Sequence, residues 1–133
     1  MNKIREGAGF IIVKEIDGRK KFLSLVVNGK YDIPKGMIEP GETFLEAAIR
    51  ECYEESNINV LPSDMKWGLE YNYNSCIAIF IAETTQEAKI LPNPYHGKKE
   101  HDYVLWMDPM DLHNKCIPYL KSAVGWAIKK VGE

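Results

Sequence analysis

Cysteine is scarce in this sequence. Cys52, Cys76 and Cys116 are the three in 133 residues, an odd number and widely spaced. That pattern excludes a disulfide framework and a cysteine-ligated zinc cluster, and it fits a reducing, cytoplasmic setting in which all three act as small buried hydrophobes. Long hydrophobic runs are also missing. The apolar stretches fall far short of the roughly 20 residues that a membrane-spanning helix needs, and no N-terminal basic-plus-apolar signal segment is visible. There is no excess of positive charge: 17 Lys and Arg against 19 Asp and Glu leave a formal charge of −2. A global basic surface for DNA or an acidic membrane is thereby excluded, and any polyanionic substrate must be handled by local cations or a bound metal. Internal repeats, low-complexity tracts and linkers are absent too, so the expectation is one domain over residues 1–133, large enough for a real hydrophobic core.

What is present reads as strands, a helix, more strands and a second helix. GAGFIIVKE (7–15) is an apolar, β-branched run, Asp17-Gly18 is a turn pair, and KFLSLVV (21–27) is the returning strand, ended by Asn28-Gly29. WGLEYNY (67–73) and CIAIFIA (76–82) form a second hairpin around Asn74-Ser75, and YVLWM (103–107) is a last short strand. Glu83 to Glu100, with Pro92, Pro94 and Gly97, reads as a long loop of the kind that is often functional. Pro118 opens a final helix whose core face is Leu120, Val124, Ala127, Ile128 and Val131. This order predicts an α/β fold with a mixed sheet and helices packed on it.

The strongest helix signal runs from Thr43 to Ser56. Thr43 and Glu46 have capping-box spacing, Leu45, Ala48, Ile49 and Cys52 make one buried stripe, and Asn57 stands where a left-handed cap is needed. Within it, RECYEES (50–56) crowds Glu51, Glu54 and Glu55 on the face away from that stripe. Residues three and four apart are neighbours on a helix, so these like charges repel. One reading is a solvated acidic face, helped by a Glu46–Arg50 pair. The other is a hard-cation site, because magnesium takes oxygen ligands and commonly shares them between a few carboxylates and substrate phosphates.

The surrounding spacing favours the second reading. GMIEPGETFLEAAIRECYEESNI (36–58) resembles the Nudix box, G-x5-E-x7-R-E-U-x-E-E-x-G-U with U a bulky aliphatic residue, and matches it at Gly36, Glu42, Arg50, Glu51, Glu54, Glu55 and Ile58. Cys52 replaces an aliphatic and Asn57 replaces the glycine, and neither change removes a carboxylate. The resemblance implies a Nudix-type α/β/α sandwich with the box helix packed on the mixed sheet. It also implies hydrolysis of a nucleoside diphosphate linked to some group X, by water attack with Mg²⁺ or Mn²⁺.

Carried over position by position, the resemblance makes Glu51, Glu54 and Glu55 the metal ligands, with the Gly36 carbonyl as a fourth. Arg50 orients a box glutamate and Glu42 is its salt-bridging partner, while Asn57 is structural. Glu100, at the end of the long loop, is the candidate for the further glutamate that serves as metal ligand or general base. Its neighbour His101 is expected at the surface.

For the substrate, YDIPKGMIEPGE (31–42) is similar to the W-x-x-P-K-G-x-x-x-x-G-E segment of asymmetric diadenosine tetraphosphate hydrolases and RNA 5′-pyrophosphohydrolases, with Tyr31 in place of tryptophan. Lys35 then suits an extra phosphate. Glu100-His101 followed by Trp106 resembles the former group, although Tyr103 comes one position early. Lys98 and Lys99 are candidate phosphate contacts. Trp67, Tyr71, Tyr73 and Tyr95 are candidate stacking partners for a base. The leading expectation is diadenosine tetraphosphate split into ATP and AMP. RNA 5′ ends or nucleoside triphosphates are the alternative, and a nucleotide sensor is the non-enzyme alternative.

Overall fold

The computed structural model describes residues 5–132. Two strands dominate it, β1 (Gly7–Ile16) and β2 (Arg19–Val27), joined by a two-residue turn in which Asp17 and Gly18 both have positive φ, 52° and 77°. A second such turn, Asn28-Gly29 at 50° and 72°, leads into β3 (Lys30–Asp32), which is followed by β4 (Lys35–Met37). Asparagine, aspartate and glycine tolerate this conformation, and its twist suits a hairpin.

Neither β3 nor β4 is visible as a period in the sequence, yet they shape the site. β1 and β2 pair only from Val13↔Phe22 to Ile16↔Arg19. Beyond that they fork. The start of β1 pairs with β4 (Gly7↔Met37 to Gly9↔Lys35), and the end of β2 pairs with β3 (Leu25↔Asp32 to Val27↔Lys30). Residues 30–37 therefore wedge into the fork, where the Phe10 N–H donates to the Pro34 carbonyl at 3.0 Å.

β6 (Ile77–Glu83) runs parallel to β1 and carries β5 (Asn72–Asn74) on its outer edge, while β7 (Tyr103–Met107) pairs with β2. The sheet is mixed and has a helix layer on each face. On one face α1 (Phe44–Ser56) covers Ala8, Phe10, Ile12, Leu23 and Leu25 with Ala47, Ala48 and Cys52. On the other, α2 (Pro109–Lys115) and α3 (Lys121–Val131) cover Ile11, Val13, Phe22 and Ile79 with Leu112, Val124 and Ala127. Burial on both faces explains why β1 reads as a continuous apolar run instead of an alternating one. Among the described residues, no helix is long and apolar enough to cross a membrane.

The structure departs from the sequence expectation at several points. Of the 67–73 segment only Asn72 and Tyr73 are strand, in an edge strand that ends at Asn74, and the turn that follows is Ser75-Cys76, with φ of 53° and 63°, one residue later than expected. Gly68, at φ 92°, bends the chain before it can continue the edge strand. Cys76 accordingly sits half-buried in a turn, unlike the buried Cys52 and Cys116, and all three are free thiols. Pro118–Leu120 is a 3-10 turn that feeds α3, in which Val124 and Ala127 are buried and Ile128 and Val131 only partly so. Helix α2 was not anticipated. It is seven residues long, too short for a clear apolar period, and its Asp108-Pro109 start is its one local signal.

Candidate functional site

Helix α1 is fixed at both ends by local chemistry. Thr43 Oγ1 accepts the Glu46 N–H at 3.1 Å and Glu46 Oε1 accepts the Thr43 N–H at 2.9 Å, a complete capping box. At the other end Asn57 takes φ 62° and its N–H reaches the Tyr53 carbonyl at 2.9 Å. Asparagine thus fills the left-handed cap that glycine more often fills. The apolar face lies on β1, which turns Arg50, Glu51, Glu54 and Glu55 toward the fork and the loop opposite.

Arg50 organises this face. Its Nε and Nη2 grip both oxygens of Glu42 at 2.7 and 2.9 Å, Nη2 also reaches the Met37 carbonyl at 2.9 Å, and Nη1 lies 2.8 Å from Glu51 and 3.3 Å from Glu54. The helical Glu46–Arg50 pair gives way to these partners because Glu46 is occupied by the cap. The two-pronged grip is the geometry a guanidinium provides and an ammonium does not. It holds the Glu42 carboxyl below its ordinary range, chiefly through the hydrogen bond from Arg50.

The remaining carboxylates are crowded and short of positive charge. Glu55 is largely withdrawn from water and accepts the Lys35 N–H at 2.8 Å, and burial pushes its carboxyl up to about 9. Burial also raises Glu51. Arg50 opposes that rise, while the negative charges of Glu54 and Glu100 add to it. Gly36 lies against Glu51 so closely that a Cβ there would overlap the carboxylate and could be accommodated only by swinging that carboxylate aside.

Glu51, Glu54, Glu55 and Glu100 line one cavity of about 350 Å³, with Gly36 in one wall and Leu91, Asn93 and Tyr95 of the long loop in the opposite wall. Among the described residues, no three His, Cys, Asp or Glu groups converge tightly enough to cage an ion. The reason is visible in the contacts: Arg50 draws Glu51 and Glu54 aside, and the Lys35 amide holds Glu55. As a donor set the cavity nevertheless suits a hard divalent cation. It offers several carboxylate oxygens, its one sulfur being the Met37 thioether and not a thiolate, and two of the carboxyls are pushed toward neutrality chiefly by burial.

The loop wall is held by Asn93. Its Oδ1 accepts the Tyr95 N–H at 2.8 Å and its Nδ2 donates to Glu100 Oε1 at 3.0 Å. A peptide N–H can only donate, so Oδ1 must face Tyr95 and the amide nitrogen is left for Glu100. Tyr95, 77% exposed, reaches across the opening and donates its hydroxyl to Glu39 at 2.8 Å.

The other expected substrate groups are scattered. Lys35 reaches the cavity wall, but its ammonium lies 3.1 Å from Asp32 and over the Tyr119 ring. Lys98 and Lys99 are exposed and outside the cavity lining. Tyr71 and Tyr73 pack on Phe44, away from the cavity, and Tyr73 also donates to Glu6. Trp67 stands under Lys20. His101 corrects the sequence reading. It is 6% exposed rather than a surface residue, with Nε2 3.2 Å from Asp32 Oδ2. Asp32 and Asn93 were missed altogether, because a lone Asp in YDIPKG and an Asn in a proline-rich loop carry no pattern of their own.

The family model described as NUDIX domain matches residues 4–124. A bis(5′-nucleosyl)-tetraphosphatase [asymmetrical] of Caenorhabditis elegans is 39% identical over 56 residues, 40% of this chain and 41% of that protein. The chain thus spans less than half the length of that relative. An RNA pyrophosphohydrolase of Erythrobacter litoralis is 25% identical over 121 residues, 77% of this chain and 73% of that one. Among solved structures, a binary complex of a C. elegans Ap4A hydrolase superposes with a TM-score of 0.70 at 21% identity, covering 98% of this chain and 100% of the other. The NUDIX domain of Shewanella oneidensis NrtR, complexed with ADP ribose, gives 0.72 at 14% identity, covering 98% and 90%. These two likenesses show the fold.

Proposed function

Since the chain belongs to the NUDIX domain family, we propose that this Nudix hydrolase is a pyrophosphohydrolase of nucleoside diphosphates linked to X, acting on a dinucleoside polyphosphate with Mg²⁺ or Mn²⁺. The observation that carries this reading is the meeting of Glu51, Glu54, Glu55 and Glu100 around one cavity. Bound there, the divalent ion supplies neutralisation of phosphate oxygens and activation of water.

The chain's own groups have distinct tasks. Glu51, Glu54 and Glu55, with the Gly36 carbonyl, are the residues that would hold the metal. Arg50, anchored on Glu42, keeps Glu51 and Glu54 in place and offsets their repulsion. Glu100 stands on the opposite wall, able to join the metal set or to take a proton from water, with Asn93 fixing its carboxylate. Lys35 meets a phosphate chain only as a member of its pair with Asp32. Tyr95, the one candidate aromatic at the opening, is the group placed to stack on a base, and Lys98 and Lys99 of the same loop remain candidates for contact with an outlying phosphate.

Diadenosine tetraphosphate, giving ATP and AMP, is the preferred substrate. It is supported by the 31–42 segment and by the name of the 39% identical relative. A second reading, removal of pyrophosphate from RNA 5′ ends, is supported by the relative that aligns over the greater length. The test is an incubation with Mg²⁺ and either diadenosine polyphosphates, nucleoside triphosphates, ADP-ribose or 5′-triphosphorylated RNA, with products separated by chromatography. The proposal expects ATP plus AMP from the tetraphosphate above all other rates, abolished by Glu54→Gln. Faster pyrophosphate release from RNA moves the assignment to the second reading. Silence across the panel with either metal, before and after Glu54→Gln, would leave a nucleotide-binding module.

A further inference from the structure

Beneath the carboxylates lies a buried charged cluster in which the hydrolytic scheme gives a task to Lys35 but none of its own to Asp32 or His101. Asp32 is 8% exposed and ends β3. Its backbone is fixed from two sides, by pairing with Leu25 and by the Ser24 hydroxyl on its carbonyl at 3.1 Å. Its carboxylate is fully engaged. Oδ1 accepts the Ile33 N–H at 2.8 Å and lies 3.1 Å from the Lys35 ammonium, while Oδ2 lies 3.3 Å from that ammonium and 3.2 Å from His101 Nε2.

We propose that Asp32 is a positioning residue that ties the two walls of the cavity together, through Lys35 to Glu55 on the helix wall and through His101 to Glu100 on the loop wall. The Lys35 arm is short: the same residue that gives its ammonium to Asp32 gives its peptide N–H to Glu55. The His101 arm is shorter, because His101 follows Glu100 directly in the chain. Asp102 already anchors the backbone beyond, its N–H on the Val26 carbonyl at 2.7 Å and its carboxylate on the Asn28 N–H at 3.1 Å. Those contacts fix where the chain rejoins the sheet. They do not fix which way residue 100 faces; the Asn93 amide holds its carboxylate, and the burial of the His101 ring against Asp32 holds its backbone. A buried carboxylate deprived of a partner is costly, so the arrangement resists alternatives.

This inference rests on the assignment of Glu100 to the reacting site, and the test separates the two. His101→Gln and Asp32→Asn are made alone and together with Glu100→Gln. Each protein is assayed for kcat and KM on the panel substrate it hydrolyses fastest, and for amide hydrogen exchange at residues 98–102. Outer partners of this kind typically contribute about tenfold or more, so each single variant should lower kcat by that factor while KM stays put. Once Glu100 is Gln, His101→Gln should lower it no further, whereas Asp32→Asn, which also loosens the Lys35–Glu55 arm, should still do so, and both should speed exchange at 98–102. Where Asp32→Asn loses the fold, His101→Gln, which leaves the Asp32–Lys35 pair intact, carries the test. A His101→Gln loss that simply multiplies with Glu100→Gln, an Asp32→Asn loss that vanishes with Glu100→Gln, or variants with unchanged kcat and unchanged exchange, overturn the inference. A Glu100→Gln protein as fast as the wild type overturns the assignment of Glu100 instead. The exchange measurement then still decides the tie, because unchanged protection in His101→Gln refutes it.

Discussion

The two walls of the cavity are built on opposite principles. The helix wall is rigid and local: α1 is capped at both ends, packed on β1 through Ala47, Ala48 and Cys52, and its charged face is locked by Arg50. The loop wall, residues 91–101, closes on itself through a short backbone bridge between Pro92 and Lys99 but is held to the rest of the site by single side chains, Asn93, Tyr95 and His101, each reaching a different anchor. The difference teaches that the oxygen donors are fixed by a secondary-structure element, whereas the group opposite them is set by tertiary contacts. Function that resides in the first wall should be intolerant of small changes, and function in the second should be adjustable.

Four measurements would break or sharpen that contrast. The largest effect is expected from Gly36→Ala, because the new Cβ overlaps the Glu51 carboxylate. A displacement of about 1 Å at a reacting centre can cost on the order of 100-fold, so steady-state kinetics should show at least that loss in kcat/KM. Retained activity would show that the helix wall is not rigid after all. Asn93→Ala should be milder, about tenfold in kcat, and that kcat loss should be absent in a Glu100→Gln background, while any change in KM through the lost Tyr95 N–H contact should persist.

The third measurement concerns pH. Burial pushes Glu55 up to about 9, above its unfolded value near 4.5. Between those values the folded chain binds a proton that the unfolded chain has released, so metal-free stability falls as pH rises through that window. Thermal midpoints in a chelator, at pH 5 to 9, should therefore decline more for the wild type than for Glu55→Gln, and saturating Mg²⁺ should remove the difference. Parallel curves would mean that Glu55 is not the strained carboxyl of the helix wall. The smallest effect is expected from Thr43→Ala, which removes one cap bond and should cost about 1 kcal/mol by chemical denaturation, with kcat unchanged.

How much of this was legible beforehand follows the same division. The cap and the left-handed Asn57 are dictated by residues within a few positions of one another and stand in the fold where the sequence pointed. Of the expected stripe, Ala48 and Cys52 are buried, Leu45 and Ile49 are only partly so, and Ala47 and Ser56 complete the buried face. Glu42 and Arg50, eight positions apart, are already a longer reach, and only the match to the Nudix box paired them. On the loop wall the sequence supplied a candidate in Glu100 and misjudged its neighbour. Nothing local distinguishes a surface histidine from one buried against an aspartate 69 residues away. The same holds for Lys35, for which the resemblance of the 31–42 segment implies a phosphate contact while its ammonium is paired with Asp32.

The sequence by itself determined the strands of the central pair, the box helix with both its caps, and the crowding of Glu51, Glu54 and Glu55 on its polar face. These depend on turn residues, periodicity and spacing along one element, all of which are short-range. The tertiary structure alone decided that β1 and β2 fork, that residues 30–37 fill the fork, and that Asp32 thereby meets His101 and Lys35 beneath the cavity. Those outcomes depend on which edge of each strand is left unpaired and on what can be buried there, and such quantities exist only once the chain has closed on itself.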